Sequence, residues 1–187
     1  MPSNNLSPSF NTGPSDGEEL VMNMLSSETD ATYSFQGMKR RLGLHQEKLT
    51  RILKRLEDDN LVTRTDDGYK VLAPPRRKAH HLVDGEPVIR GHLPPGINAE
   101  SFTGSLKGRW FKNFRWLGYS NGETGQSLYW ITEDGRFQVR VLLSPGEILV
   151  WSQATEEKEA GSPVAIAAGY ELFDRVSRML PETGEFS

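Results

Sequence analysis

The N-terminal part of the chain spaces its apolar residues first as helices do and then as strands do. Ser15 and Glu18 form a capping pattern ahead of a short amphipathic stretch, which predicts a first helix. A second helix is predicted over residues 35–42 and ends at Gly43, since glycine readily adopts the left-handed conformation of a helix C-terminus. The third and most regular helix is predicted over residues 46–59. Its buried stripe would be Leu49, Ile52, Leu53 and Leu56.

The spacing changes to alternation after the third helix. Residues 61–64 and 69–72 have strand-forming patterns, and Asp66-Asp67-Gly68 stands between them. Asp-Gly between two such runs is a strong hairpin signal. A brief strand-forming step is also present at residues 32–34. Helix, helix, short turn, helix and hairpin is the element order of a winged helix-turn-helix, which we expect over residues 15–73 after a disordered tail at residues 1–14.

The amino-acid sequence of this segment also resembles that of known winged helix-turn-helix proteins. The stretch YSFQGMKRRLGLHQEKLTRILKRLEDDNLVTRTDDGYKVL resembles the MarR- and ArsR-like transcription regulators of bacteria and archaea. Those families have a glycine-containing turn, a helix that ends in Leu-Glu-acid-Asn/Gly-Leu-Val, and a β-hairpin wing. The resemblance implies a homodimeric transcriptional regulator that binds double-stranded DNA. The sequence departs from the families at His45, where serine is frequent, and at an acidic wing tip that carries Asp66 and Asp67.

The third helix supplies the candidate DNA-binding residues. An α-helix fits the major groove, and the residues at its N-terminus meet the base edges. Gln pairs well with adenine and Arg with guanine. Other basic side chains contact phosphates, and these contacts position the protein on the DNA. The residues predicted to reach base edges are His45, Gln46, Lys48, Thr50 and Arg51. Those predicted to contact phosphates are Lys39, Arg40, Arg41, Lys54 and Arg55, with Arg64 and Lys70 on the wing.

Charge is distributed unevenly, and this favours the same segment. The whole chain has 22 basic and 25 acidic residues, a net charge of -3. Residues 34–56 nevertheless contain seven bases and the single acid Glu47, whereas residues 120–187 contain five bases and 11 acids. A local positive potential attracts a polyanion even when the total charge is negative. A solvated helix face would also produce such a run, so the charge counts only together with the helix order.

A proline-rich basic linker is predicted over residues 74–99, because Pro74 and Pro75 cannot continue a strand ladder. A short strand at residues 88–90 is compatible with this stretch. The basic triplet at residues 76–78 would serve either as a solvated connector or as an arm along the DNA backbone.

The C-terminal part reads as a second unit, over residues 100–187. An antiparallel meander is predicted from residues 127–132, 136–143 and 147–152, with turns at 133–135 and 144–146. The residues that share the apolar face of its middle strand are Phe137, Val139, Val141 and Leu143, opposite Gln138 and Arg140. The expected fold class is therefore α+β: an N-terminal winged helix-turn-helix domain followed by a small antiparallel β-meander domain with a C-terminal helix.

Two apolar patterns in this second unit have competing interpretations. Strand signals begin at Ser105, and Trp110, Phe114 and Trp116 alternate as in a half-buried strand; we expect core aromatics, although the interleaved bases also fit single-stranded nucleic acid. The last helix begins at Ser162-Pro163 and stops before Pro181. Its apolar stripe, which would cover the sheet or pair with a second copy, is Ile166, Tyr170, Phe173, Val176, Met179 and Leu180. By analogy with regulators, the unit would dimerise or bind a small-molecule or protein effector.

Several classes of function are disfavoured. The chain has no cysteine, no apolar run of membrane-spanning length and no secretory signal, so we expect a cytoplasmic protein. No catalytic motif is present, and we expect neither an enzyme nor a cofactor. His80 and His81, with Asp84 and Glu86 nearby, are only a weak metal pattern, and we expect no metal site. The alternative to DNA binding is a winged-helix protein interaction module of a larger transcription or replication assembly, suggested by the acidic wing and C-terminal segment.

Overall fold

The computed structural model describes residues 16–28, 30–72 and 85–181 and is of the α+β class. Its helices are α1 (Asp16–Leu25), α2 (Phe35–Leu42), α3 (Gln46–Asp58), α4 (Ala99–Leu106) and α5 (Pro163–Ser177). Its strands are β1 (Thr32–Tyr33), β2 (Val62–Thr65), β3 (Gly68–Val71), β4 (Ile89–His92), β5 (Phe114–Asn121), β6 (Gln126–Thr132), β7 (Phe137–Ser144) and β8 (Glu147–Ala154).

All eight strands belong to one antiparallel sheet, in the order β2-β3-β1-β5-β6-β7-β8-β4. The two-residue strand β1 joins the N-terminal hairpin to the meander, because Tyr33 pairs with Tyr69 of β3 on one side and with Gly118 of β5 on the other. Gly118 is required at this junction, since an added Cβ would lie 2.1 Å from the Thr32 carbonyl oxygen. The hairpin and the meander are therefore parts of a continuous sheet.

Helices cover both faces of the middle of this sheet. Along β6, Leu128 and Trp130 pack into a core with α4 and α5, whereas Tyr129 and Ile131 pack into a second core with α1, α2 and α3. All four side chains are fully buried. Both alternating sets of β6 are thus apolar, as expected for a strand that meets no water on either face.

Most of the predicted elements are confirmed. The structure has helices at residues 35–42 and 46–58, a hairpin that turns at Asp66 and Asp67, and three meander strands close to their predicted limits. The predicted apolar face of β7 is confirmed as well, because its four residues all lie in the core with α4 and α5. Ser15 and the tail before it, like residues 73–84, lie outside the described residues.

Residues 85–106 differ from the sequence interpretation. The short strand expected at residues 88–90 is present in part as β4, but it is longer and pairs with β8 at the edge of the sheet, Ile89 opposite Val150. Strand signals were expected from Ser105, but Ser105 lies in α4. Asn98 begins this helix by accepting a hydrogen bond from the Ser101 N–H at 2.9 Å. Neither element has strong periodicity, and packing against the sheet stabilises both.

The expectation of a core aromatic at Trp110 was wrong, whereas Phe114 and Trp116 are buried as predicted. Trp110 is 60% exposed because the chain enters β5 only at Phe114. Before that point it makes a tight turn, in which the Phe114 N–H donates to the Phe111 carbonyl at 2.7 Å and Lys112 has a φ of 48°. The alternation of aromatic residues in the sequence therefore includes Trp110, which lies before the first residue of β5.

The predicted stripe of α5 also needs correction. Ile166 and Tyr170 are exposed, and the buried face is formed mainly by small residues and the two aliphatics Leu172 and Val176. An added Cβ on Gly169 would lie 2.8 Å from Val88 Cγ2 and 3.3 Å from Ser152 Cβ. The small residues let the helix approach β8 closely, and this decides which face is buried.

Candidate nucleic-acid interface

Helix α3 presents one face to the core and the opposite face to solvent. Leu49, Ile52, Leu53 and Leu56 are buried as the sequence predicts. A short turn precedes the helix, in which Gly43 adopts the left-handed conformation with a φ of 63°. His45 is the N-cap residue, and its side chain makes no capping hydrogen bond. The N–H groups of the first turn, which have no partner within a helix, therefore face the N-terminal approach to α3.

The structure brings the predicted base-reading residues together on this solvent face. His45, Gln46, Lys48, Thr50 and Arg51 are all exposed. The Thr50 hydroxyl donates to the Gln46 carbonyl at 2.8 Å, so its proton is engaged within the helix. In the part of the chain that the structure describes, the side chains of Gln46, Lys48 and Arg51 have no hydrogen bond or ion pair.

The sequence interpretation did not include Glu47 among the candidate DNA-binding residues. It is exposed and lies between Gln46 and Lys48 at the start of the same face. A carboxylate near a helix N-terminus is favourable for the helix and can accept a hydrogen bond from the cytosine amino group. It also repels phosphates, and its acidity is the reason that a search for basic residues passed over it.

Arg55, one of the residues predicted to contact phosphates, lies in a groove between α1 and α3. Arg55 Nη1 lies 2.9 Å from Glu18 Oε1, and the Glu18 side chain is only 10% exposed. Gly17 permits this approach, since an added Cβ would lie 2.9 Å from Ile52 Cδ1. Lys48 and Arg51 line the same groove. Arg55 therefore fastens α1 to α3, whereas Lys54, exposed on the other side, has no ion pair in the described residues.

Arg40 and Arg41 were grouped with the phosphate contacts, but in the structure Arg41 faces the sheet and Arg40 faces the ring of Trp110, which precedes β5. Arg41 Nε donates to Gln138 Oε1 at 3.1 Å, and burial lowers the pKa of its guanidinium, which stays charged at neutral pH. The Arg40 guanidinium lies 5.6 Å from the centroid of the Trp110 ring. Lys39 is half-buried on the same helix. These contacts attach α2 to the meander and do not add to the face of α3.

Several side chains of the wing make contacts within the protein. Lys70 forms an ion pair with Asp30, and the Arg64 guanidinium lies 6.0 Å from the centroid of Tyr69. At the tip, Asp67 Oδ2 accepts a hydrogen bond from the Tyr119 hydroxyl at 3.1 Å. Partial burial and this bond raise the pKa of Tyr119. The acidic tip is thus fastened to β5, and of the two wing bases only Arg64 is without an ion pair in the described chain.

The other chemistry considered from the sequence has little structural counterpart. Within residues 16–28, 30–72 and 85–181, no group of three or more His, Cys, Asp or Glu residues is arranged to hold a metal ion. His80, His81 and Asp84 lie outside the described residues, as do the bases at 76–78. In the same ranges no helix has the length and apolar character required to cross a membrane.

Comparison with protein-family models, with curated proteins and with solved structures finds no match to this chain.

Proposed function

We propose that residues 16–72 form a winged helix that binds double-stranded DNA and that the protein is a transcriptional regulator. The element order supports the winged helix: α1, the short strand β1, α2, a three-residue turn, α3, and the hairpin of β2 and β3. The observation that carries DNA binding is the solvent face of α3. It displays Gln46, Lys48, Arg51 and Lys54 with no ion pair to the described chain.

This face has the size and chemistry for a major groove. A helix of 13 residues is about 20 Å long, and its diameter matches a groove about 12 Å wide. In our proposal Gln46 and Arg51 meet base edges, Glu47 selects for a cytosine amino group, and Lys54 contacts a phosphate. The open N-terminus of α3 offers backbone N–H groups to a phosphate as well.

We further propose that two copies bind a pseudo-palindromic site, with their α3 helices about 34–36 Å apart. The exposed outer face of α5 is available for contact between the copies. Val164 is 56%, Ile166 39% and Tyr170 56% exposed there, and apolar side chains that face solvent are available for a protein contact. Sedimentation of the wild-type chain and of the Tyr170→Glu variant tests this arrangement. The wild-type chain should be a dimer, and the carboxylate introduced by Tyr170→Glu should disrupt it.

The decisive experiment first selects bound duplexes from a random-sequence pool. Fluorescence anisotropy then compares the enriched duplex with a scrambled one at several salt concentrations. We expect Arg51→Ala and Gln46→Ala each to lose about 1–3 kcal/mol of discrimination at one base position. Lys54→Ala should weaken binding of all duplexes alike and reduce the salt slope by about 1. The matched control is Lys158→Ala, which removes an exposed lysine from the C-terminal part and should change neither quantity.

The proposal fails if the folded protein has no affinity for duplex DNA at low salt, or if Lys158→Ala weakens binding as much as Lys54→Ala. The second candidate function of the same face is the binding of a partner protein. The acids on and near it, Glu47 and Asp58 on α3 and Asp66 at the wing tip, are the observation that favours this second function. Recovery of a basic partner protein that Glu47→Gln releases would then identify it.

A further inference from the structure

A cleft opens beside the turn that connects β5 to β6. Its volume is about 370 Å³, and it is bounded by the turn at residues 120–125 and by Glu28, Ser127, Arg140 and Leu142. Small-molecule sites commonly have volumes of about 300–1,000 Å³, and a single water needs far less. The cleft is therefore large enough for a small organic molecule.

Glu28 is the unusual group in this cleft. Its side chain is only 6% exposed, and its Oε1 atom accepts no hydrogen bond from any described residue. The cation that faces it is Arg140, whose Nη1 lies 3.9 Å from Oε1, beyond hydrogen-bonding distance. Buried carboxylates are nearly always hydrogen-bonded, because an unsatisfied charge away from water is costly. Because Glu28 also lines the cleft, its poorly compensated carboxylate points to a cationic ligand there.

Arg140 cannot close the gap without breaking other contacts. Its Nε donates to Ser127 Oγ at 3.0 Å, and its guanidinium lies 4.9 Å from the centroid of the Trp151 ring. On the opposite side, Ser120 Oγ and the Tyr129 hydroxyl share a hydrogen bond of 2.9 Å between two buried residues. These contacts hold Arg140 and Ser120 in place against the sheet.

The charges of the cleft favour a cation. Two carboxylates, Glu28 and Glu123, stand against the one guanidinium of Arg140. The described residues contain no group of three metal-ligating side chains here, which disfavours a metal ion relative to an organic cation. A primary ammonium has three N–H donors and suits a carboxylate together with neighbouring hydroxyl oxygens. Leu142 adds an apolar wall for a short alkyl chain.

We propose that this cleft binds a small organic cation whose primary ammonium group donates a hydrogen bond to the Glu28 carboxylate. None of the lining residues belongs to α3 or to the hairpin, so the inference stands apart from DNA binding and would survive its failure.

Three four-carbon compounds test the chemistry: putrescine with two ammonium groups, 1,4-butanediol as its neutral counterpart, and succinate as its anionic one. Each is titrated into the full chain at millimolar concentration while amide resonances are recorded by NMR. We expect putrescine to shift the amides of residues 120–127 and to bind at least tenfold more tightly than either of the other compounds. Equal affinity for butanediol, or no shifts in these amides with putrescine, would overturn the proposal and leave the cleft to water.

Variants then assign the interaction to Glu28. Glu28→Gln keeps the size of the side chain and should weaken putrescine binding about tenfold or more, because it removes a charge-assisted hydrogen bond. Glu19→Gln removes an exposed carboxylate from α1 and should leave binding unchanged. Unchanged affinity in Glu28→Gln, or an equal loss in both variants, contradicts the assignment. If Glu28→Gln does not fold, the amide map of the wild-type chain still decides the question.

Discussion

Two helical glycines offer a sharp test of how α2 packs on the sheet. Gly37 lies within α2, and an added Cβ would lie 2.7 Å from Leu117 Cα and 2.8 Å from Leu117 Cδ1. Gly104 lies within α4, and an added Cβ there meets no atom within 4 Å. The same substitution to alanine should therefore have opposite effects on stability at the two positions.

The magnitudes follow from helix propensity and overpacking. Alanine is better than glycine in a helix interior by about 0.8–1.0 kcal/mol, and Gly104→Ala should gain close to this amount. Gly37→Ala gains the same term, but the contact with Leu117 Cα is with backbone, which no rotamer change can relieve. Overpacking of this kind costs about 1–3 kcal/mol, or more where backbone must move. After the propensity gain is subtracted, we expect Gly37→Ala to lower the free energy of unfolding by up to about 2 kcal/mol, and by more if the backbone has to move.

Urea unfolding of the wild-type chain and both variants, followed by circular dichroism, measures these differences. The slope with urea should be equal in the three proteins, so that the change in midpoint reports stability. A stabilising effect of Gly37→Ala, similar to that of Gly104→Ala, would refute the close approach of α2 to β5. It would also remove the physical reason for glycine at this position.

Three further outcomes follow from the described contacts. One sheet joins the hairpin to the meander, so we expect the two to unfold together. Tryptophan fluorescence, which reports residues 110–151, should then give the same urea midpoint as far-ultraviolet circular dichroism. Separate midpoints would mean that the halves unfold independently. Trp130→Ala should cost about 3–5 kcal/mol, whereas Trp110→Ala, at an exposed ring near two arginines, should cost less than about 1 kcal/mol; thermal or urea unfolding separates the two. Burial raises the pKa of Tyr33 and of Tyr129, so stability should be intact below pH of about 10, where unfolded tyrosines begin to ionise, and fall above it by up to about 1.4 kcal/mol per pH unit for each residue. Tyr129→Phe should make that fall less steep in urea titrations.

Local signals in the sequence were sufficient for the elements around α3. The apolar stripe of α3 repeats with helical spacing over the whole helix, Gly43 ends α2, and Asp-Gly marks the hairpin turn. Each of these features acts within a few residues along the chain, so pattern and structure agree. The meander was predictable for the same reason, because its turns and the alternation of β7 are local.

Features that depend on distant residues could not be obtained in this way. Tyr129 and Ile131 are buried because α1, α2 and α3 cover a face of β6 that the sequence offers no reason to assign to them. Arg41 looks like a surface base in sequence, and only the position of Gln138 shows that it faces the sheet. Glu28, likewise, precedes β1 with no local sign that it lines a cleft with Arg140.

The reassignment of the arginines changes the salt dependence expected of DNA binding, if our functional proposal holds. If all seven bases of residues 34–56 met phosphates, the slope of log affinity against log salt would be about -6 for each protomer. The structure engages Arg40 with Trp110, Arg41 with the sheet and Arg55 with Glu18, and Lys39 is half-buried. Our proposal gives Arg51 to a base. Lys48, Lys54 and the wing residue Arg64 are the exposed bases that then remain for phosphates.

A slope of about -3 for each protomer is therefore expected, from three phosphate contacts at about 0.9 each. Anisotropy titrations between low and moderate salt measure it directly, and Arg41→Gln provides the control. That variant should leave the slope unchanged and lower the free energy of unfolding, since the Arg41 guanidinium bonds Gln138 and not DNA. A wild-type slope near -6, which Arg41→Gln makes shallower by about 1, would show that α2 leaves the sheet to bind DNA.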